Sequence, residues 1–229
     1  MSYTLRGLLA AEGNCGGSRK AADIRYLVIH YTGNNGDTAA NNAAYYQNHV
    51  VEASAHYFVD DTTVYRSAPD LRIAWAVGGK KYASCGETGG GKLYGIVTNT
   101  NSISVELCGT GEDRRASEQT LQNAVELCRE LMKKYAIPLE RVCRHFDVTG
   151  KLCPAYLVDE AAWAAFKKRL EAPDADNVPA PYAVEAVYWA QEHGILQGDA
   201  SGDLMLTQPC TRQQMAVFLY RLWKLLKAK

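Results

Sequence analysis

Apolar positions recur along the chain with two different periods. Short runs rich in β-branched residues stand at Ile24 to Tyr31 and Ser102 to Leu107. Such runs predict strands buried in a sheet. His56 to Asp60 and Thr63 to Ser67 flank Asp61-Thr62 and predict a hairpin. Helical spacing appears elsewhere. Thr38 to Val50 predicts a helix capped by Asp37 or Thr38, with alanines and tyrosines on its face. From Ser117, apolar residues at Leu121, Ala124, Val125, Cys128, Leu131, Met132 and Tyr135 fall on one helical face, and Pro138 closes the helix. Arg141 to His145 predicts the end of a strand, and Asp159 to Leu170 a helix with Trp163 and Phe166 on one side. Strands alternating with helices, plus one hairpin, predict an α/β domain: a mixed β-sheet flanked by helices.

A compositional break follows. Glu171 to Tyr182 contains Pro173, Pro179 and Pro181 with Asp174, Asp176 and Asn177 between them, a linker composition. It divides the chain into 1–172 and a small helical module at 173–229. That module carries two amphipathic stretches, Ala183 to Glu192 and Arg212 to Leu226, joined by a turn-rich segment. Two helices bury little area alone, so the module should pack on the first domain or on another copy of itself. Cys85 to Gly95 is glycine-rich, but Lys92 precedes Leu93 and no Gly-Lys-Ser/Thr follows. The phosphate-loop reading therefore fails, and the segment is expected to be a mobile surface loop.

Composition excludes several function classes. The chain has 229 residues, 47% hydrophobic and 22% charged, with formal net charge zero. Charge balance gives no general attraction to nucleic acid, and no apolar run reaches the roughly 18 residues of a membrane span. Met1 to Asn14 has no apolar core of the kind a signal peptide needs. Seven cysteines form an odd set. Without a leader the default is reduced thiols, any special one serving metal or catalysis, although a disulfide stays open for a protein that works outside the cell.

The residue types that remain point to a metal. His30 ends the apolar run Tyr26-Leu27-Val28-Ile29; His145 ends a second short strand; Cys153 precedes Pro154 in a loop just beyond it. A lone histidine is more often a packing residue. Two nitrogens and one sulfur, however, make a three-ligand zinc site whose fourth position stays free for water. Hydrolysis there would need a carboxylate to take a proton and a cation or donor to steady the oxyanion. Glu106 is the candidate carboxylate, because it stands in an otherwise uncharged strand where a buried acid is costly unless used. Lys151 is the candidate cation, with an ordinary solvated lysine as the equal alternative.

These residues resemble a known family, the zinc-dependent N-acetylmuramoyl-L-alanine amidases of the type-2 class, related to amidase-type phage lysozymes and peptidoglycan recognition proteins. The resemblance runs from about Ile24 to Phe166. It rests on Val28-Ile29-His30-Tyr31-Thr32, Ser54-Ala55-His56-Tyr57-Phe58-Val59-Asp60, Asn101 to Leu107, His145-Phe146-Asp147 and Lys151-Leu152-Cys153-Pro154. It implies Zn2+ held by His30, His145 and Cys153, Glu106 as general base and Lys151 as the stabilising cation. It leaves open whether His56 or Tyr57 faces the metal, as acid/base group or substrate contact. Where relatives carry Trp-His, this chain has Trp75-Ala76, so Trp75 remains a substrate candidate without its histidine neighbour.

The C-terminal region resembles one S-layer homology module, through Ala186-Val187-Tyr188-Trp189-Ala190, Gly194 to Gly198 and Thr211 to Ala216. That implies a secondary wall polymer as partner or a homo-oligomer, with Arg212 as an anion contact or simply a helix-start residue. The implied activity is a peptidoglycan hydrolase cutting the amide between N-acetylmuramic acid and L-alanine. With no signal peptide, an endolysin held in the cytoplasm until release at the wall is expected. The alternatives are a non-catalytic peptidoglycan-binding protein on the same fold and a structural zinc protein, which would need a fourth protein ligand such as His56.

Overall fold

The computed structural model describes residues 3–109, 114–171, 177–199 and 202–227. The chain divides into two compact units, Met1–Ala172 and Pro173–Lys229. Part of the expected linker, 172–176, lies outside the described residues.

The first unit holds strands β1 (Thr4–Gly7), β2 (Cys15–Ser18), β3 (Tyr26–Tyr31), β4 (Tyr57–Val59), β5 (Thr63–Arg66), β6 (Arg72–Ala74), β7 (Ser102–Leu107) and β8 (Val142–Arg144). Its helices are α1 (Ala39–Asn48), α2 (Cys85–Thr88), α3 (Glu118–Tyr135), α4 (His145–Thr149) and α5 (Glu160–Glu171). Six strands form one sheet in the order β1-β5-β4-β7-β3-β8, and β2 pairs with β6 separately. Only the β4–β5 hairpin is antiparallel in the large sheet; β3 lies parallel between β7 and β8. The mixed sheet expected from the hairpin is therefore present.

Strand alternation sorts the side chains onto two faces. Leu27, Ile29, Tyr57, Val59, Ile103, Val105 and Leu107 are buried in one core with Val125, Cys128 and Leu131 of α3 and Trp163 and Phe166 of α5. Val28, Phe58 and their neighbours face the other way, against α1, the 77–97 segment and α4. The helices start where capping dictates. Thr38 and Ser117 accept the N–H groups of Asn41 and Thr120 from the first turns of α1 and α3. Helix α3 stops at Tyr135, before Pro138, where Ala136 takes φ 50°.

The structure corrects two expectations. His145 does not end a strand; β8 stops at Arg144, and His145 is the first residue of α4. The glycine-rich segment is not a free loop. It contains α2, buries Gly90 and Gly91, and sends N–H bonds from Gly91 and Leu93 to the carbonyls of Phe146 and Asp147 in α4. A Cβ on Gly90 would stand 2.7 Å from the Phe146 ring, so the glycine permits this close approach.

In the second unit, α6 (Val184–Glu192) and α7 (Arg212–Lys227) occur where amphipathic spacing places them. Arg221 of α7 donates to the Ile195 carbonyl at 3.0 Å.

A polar knot ties the large sheet to α3. Asp70 is buried and accepts from the Tyr57 hydroxyl (2.5 Å), the Tyr135 hydroxyl (2.6 Å) and Lys134 (2.7 Å). Burial pushes the Asp70 carboxyl up, but these donors outweigh it and hold the group below its ordinary value. A carboxyl lowered on folding contributes stability above its unfolded pKa of about 3.9 and loses it as pH falls through the folded value. Asp70→Asn should therefore lower stability by about 1–3 kcal/mol at neutral pH, since it weakens the acceptor facing a buried hydroxyl. In denaturant titrations the gap between wild type and variant should close as pH drops below about 4. A gap that stays constant with pH would contradict this role.

Candidate functional site

The carboxyl end of β3 is where the site forms, and register builds it. His30 pairs with Glu106 across β3–β7, and Ile29 pairs with Arg144 across β3–β8. His145, one residue beyond Arg144, thus comes level with His30; their ring centroids are 4.6 Å apart. Helix α4 ends on Gly150 at φ 83°, a left-handed cap that turns the chain back. The Phe146 N–H then donates to the Cys153 carbonyl at 3.0 Å, which folds the 150–154 turn onto α4. Cys153 Sγ ends 4.0 Å from His30 Nδ1.

His30, His145 and Cys153 present ligand atoms that all lie within 4.8 Å of one another, and all three side chains are buried. No other such trio of metal-ligand side chains occurs among the described residues, and no fourth protein ligand joins it. The donors fit a metal. His30 Nε2 and His145 Nδ1 are buried without a hydrogen-bond partner, as is Glu106 Oε2. Buried polar atoms rarely go unpaired, and unpaired ones clustered at one point suggest a missing ion or ligand. Two nitrogens and one sulfur suit a borderline-soft cation such as zinc, and three ligands leave a position open.

Electrostatics agree with that use. Burial, with help from His145, Lys151 and His56, holds the His30 imidazole well below its ordinary value. Burial and Lys151 bring His145 down to about 4. Both rings are therefore neutral near pH 7, the ligand form. Burial and the nearby Glu106 push the Cys153 thiol up to about 12, so its ionisation needs a cation beside it. Burial pushes Glu106 up to about 7; Lys151 opposes this and Asp37 adds to it. Glu106 Oε1 stands 3.8 Å from His30 Nδ1, and its side chain is 19% exposed. The Glu106 carboxyl is thus raised toward neutrality next to the candidate ligands, on the wall of a cleft.

Two clefts meet here. One of about 630 Å³ is lined by Trp75, His145 and Lys151, among others, and one of about 550 Å³ by Glu106, Asp37 and again Lys151. Lys151 is exposed and shared by both. Trp75 stands on the wall of the larger of the two clefts.

His56 and Tyr57 are separated by the sheet. Tyr57 faces the helical core, its hydroxyl on Asp70. His56 shares the face of His30 but sits one step below: Phe58, not His56, pairs with Glu106. Its ring is fully occupied. Nδ1 accepts from the Ser104 N–H at 3.0 Å, while Nε2 lies 2.8 Å from the Arg19 guanidinium and 3.0 Å from the Arg72 carbonyl. Neither residue extends the trio. Arg212 is exposed at the start of α7 and does not line the groove of the second unit, where Arg221 lies.

Sequence reasoning missed Arg144. This buried guanidinium binds both carboxylate oxygens of Asp147 at 3.0 and 2.7 Å, the carbonyls of Leu157 and Val158 at 2.9 and 3.0 Å, and Glu160 at 2.8 Å. It locks together the start of α4 and the segment after Cys153, hence two of the three candidate ligands. The available signal was a charge in the otherwise apolar Val142-Cys143-Arg144. Asp37 was seen only as a helix cap, and its place on the cleft wall was missed.

Comparison with known proteins identifies the family. The N-acetylmuramoyl-L-alanine amidase family profile matches residues 20–156, and the S-layer homology domain profile matches 173–216. N-acetylmuramoyl-L-alanine amidase CwlL of Bacillus licheniformis is 32% identical over 160 residues, covering 66% of this chain and 42% of the relative. CwlA of Bacillus subtilis (strain 168) is 33% identical over 150 residues, covering 64% and 49%. The chain therefore spans less than half the length of these relatives. Among solved structures, PlyL superposes with TM-score 0.59 at 29% identity, covering 75% of this chain and 98% of that one. The catalytic domain of XlyA superposes with TM-score 0.58 at 26% identity, covering 73% and 99%. With its profile match spanning more than half of the residues, over the very segment that builds the His30–His145–Cys153 cluster, the chain belongs to the N-acetylmuramoyl-L-alanine amidase family.

Proposed function

We propose that this protein is a zinc-dependent peptidoglycan amidase that hydrolyses the amide between the lactyl group of N-acetylmuramic acid and L-alanine. The observation that carries the reading is the buried three-ligand cluster next to a carboxylate with one unpartnered oxygen. The phage-lysin type fits best, and the S-layer homology region would hold the enzyme at a secondary wall polymer.

His30, His145 and Cys153 would hold the zinc ion. Zinc bound there supplies Lewis acidity toward a carbonyl and makes water acidic enough to deprotonate near neutral pH. Glu106 takes the proton of the attacking water and returns it to the leaving alanine amine. Its pKa near 7 suits both transfers, since a base must also release the proton it takes. Lys151, reaching from between the two clefts, sets a positive charge against the oxygen that becomes negative as the carbonyl is attacked. Arg144 and the β3 register position the ligands without touching substrate. His56 acts as structure: together with Ser104 and Arg19 it braces the sheet beneath the site.

Digestion of purified cell walls should release new L-alanine amino termini, and a chelator should abolish the release until zinc is restored. New reducing sugar ends without new amino termini would disprove the amidase assignment. Glu106→Gln should retain one zinc per chain by elemental analysis and lower kcat by about 10²- to 10⁴-fold; full activity would remove Glu106 from its role. Arg144→Lys keeps the charge but not the planar fork. In a chelator competition it should weaken zinc binding by about 10- to 100-fold, as loss of ligand-orienting contacts usually does. Unchanged zinc affinity would make Arg144 a purely structural residue.

A further inference from the structure

The two clefts that meet at Lys151 differ in chemistry, and the difference gives the substrate a direction. The larger is bordered by Lys80, Lys81 and Lys151, with Glu52 as its one acid and Trp75 and Tyr82 as its aromatic surfaces. The smaller has Asp37 and Glu106 as its acids and Asn34, Asn41 and Tyr45 among its walls. Among the described residues that line it, Lys151 is the one cation.

A muramoyl-peptide is equally two-sided. On one side of its lactyl amide is a sugar, neutral and dense in hydroxyl and acetamido groups. On the other is a peptide that ends in carboxylate. The geometry points to the peptide arm lying in the lysine cleft, its carboxylates received by Lys80 and Lys81, and the glycan arm lying in the asparagine–tyrosine cleft. The assignment rests on the amidase activity proposed for this site.

Three observations support it. First, Asp37 holds Oδ2 on the side-chain amides of Asn34 (3.2 Å) and Asn42 (2.6 Å), while its buried Oδ1 has no partner. An acceptor in that state suits a sugar hydroxyl or acetamido N–H and repels a carboxylate. Second, the lysine wall is anchored, not loose. The Tyr82 N–H donates to the Thr149 carbonyl at 2.8 Å, the Gly91 N–H donates to Phe146, and the Tyr94 hydroxyl donates to the Gly79 carbonyl at 3.3 Å. The Lys81 stem lies so close to Gly91 that a Cβ there would stand 2.7 Å from its Cε. Third, the wall is tied to α4, which begins with His145, so the backbone that carries the lysines is fixed relative to the site.

The test uses the full chain loaded with zinc and two soluble N-acetylmuramoyl-peptides of one sequence, with peptide carboxylates either free or amidated. Wild type should show a KM about three- to tenfold lower for the free acid, the range two exposed ion pairs supply. Added salt should shrink that difference. The double variant Lys80→Gln/Lys81→Gln should raise KM for the acid form and bring the ratio of the two substrates to about one. Asn41→Ala should raise KM for both forms equally. Hydrolysis with equal wild-type KM values, or discrimination that survives the lysine changes, would overturn the arm assignment alone. No hydrolysis of either substrate would overturn the amidase activity and the assignment with it.

Discussion

Everything functional in the first unit depends on how β3 is held between β7 and β8. The parallel pairing His30 with Glu106 fixes the candidate base beside one candidate ligand, and the pairing Ile29 with Arg144 fixes the start of α4 beside the same point. A shift of one residue would turn His30 into the face that packs on α3 and α5 and bring Ile29 to the site. The apolar residues prevent that shift. Leu27, Ile29, Val105 and Leu107 are completely buried on the helical face, and a slip of β7 would put Ser104 and Glu106 in the places of Val105 and Leu107. Exposing even one such side chain would lose about 1.5–3 kcal/mol of burial, so the core that stabilises the sheet also sets the geometry of the site.

That geometry has an electrostatic cost which the rest of the unit offsets. Two imidazoles, a thiol and a carboxylate are brought together at the end of a buried strand, and several of their atoms have no partner in the protein. Polar atoms left unpaired in this way oppose folding by about 1–3 kcal/mol each. The opposing contribution comes from nearby groups that are fully paired. Arg144 meets two carboxylates and two carbonyls, Asp70 meets three donors, and Arg19 donates to the carbonyls of Asp70 and Ser102. A cation received by the open cluster would relieve the strain at its source, which links metal affinity to stability.

Much of this was legible in the sequence, and the limits have physical causes. The strands around His30 and Glu106 were visible because β-branched apolar runs report burial directly, and α3 because its apolar stripe is long and capped at Ser117. The candidate ligands were visible as a set: two histidines and a cysteine next to Glu106 and Lys151 motifs, where any one alone reads as packing. Placing His56 was harder: residues 56 and 57 alternate between faces, and only the observed pairing of Phe58 with Glu106 says which points where. Arg144 was invisible as a clamp because all its partners but Asp147 lie beyond Cys153, brought back by the turn at Gly150. The glycine-rich segment misled for a related reason. Glycine marks permissive backbone whether the loop is free or pressed against a helix, and the ring of Phe146 that requires Gly90 is more than fifty residues away in sequence.

The division of labour between these parts bears on specificity. The candidate ligands and candidate base sit on strand ends, on α4 and in the 150–154 turn folded onto it, whose positions the core and Arg144 determine. The cleft walls come from segment 78–82 on one side and from the β3–α1 connection with the first turns of α1 on the other, which meet the frame through backbone hydrogen bonds and a helix cap. Changing Lys80 or Asn41 leaves every core contact in place, whereas changing His30 or Arg144 does not. Substrate preference can therefore vary with little effect on the sheet, and the chemistry stays tied to the register that folds it. That separation follows from placing the candidate reacting groups at the ends of core elements and the proposed recognising groups on exposed positions beside them.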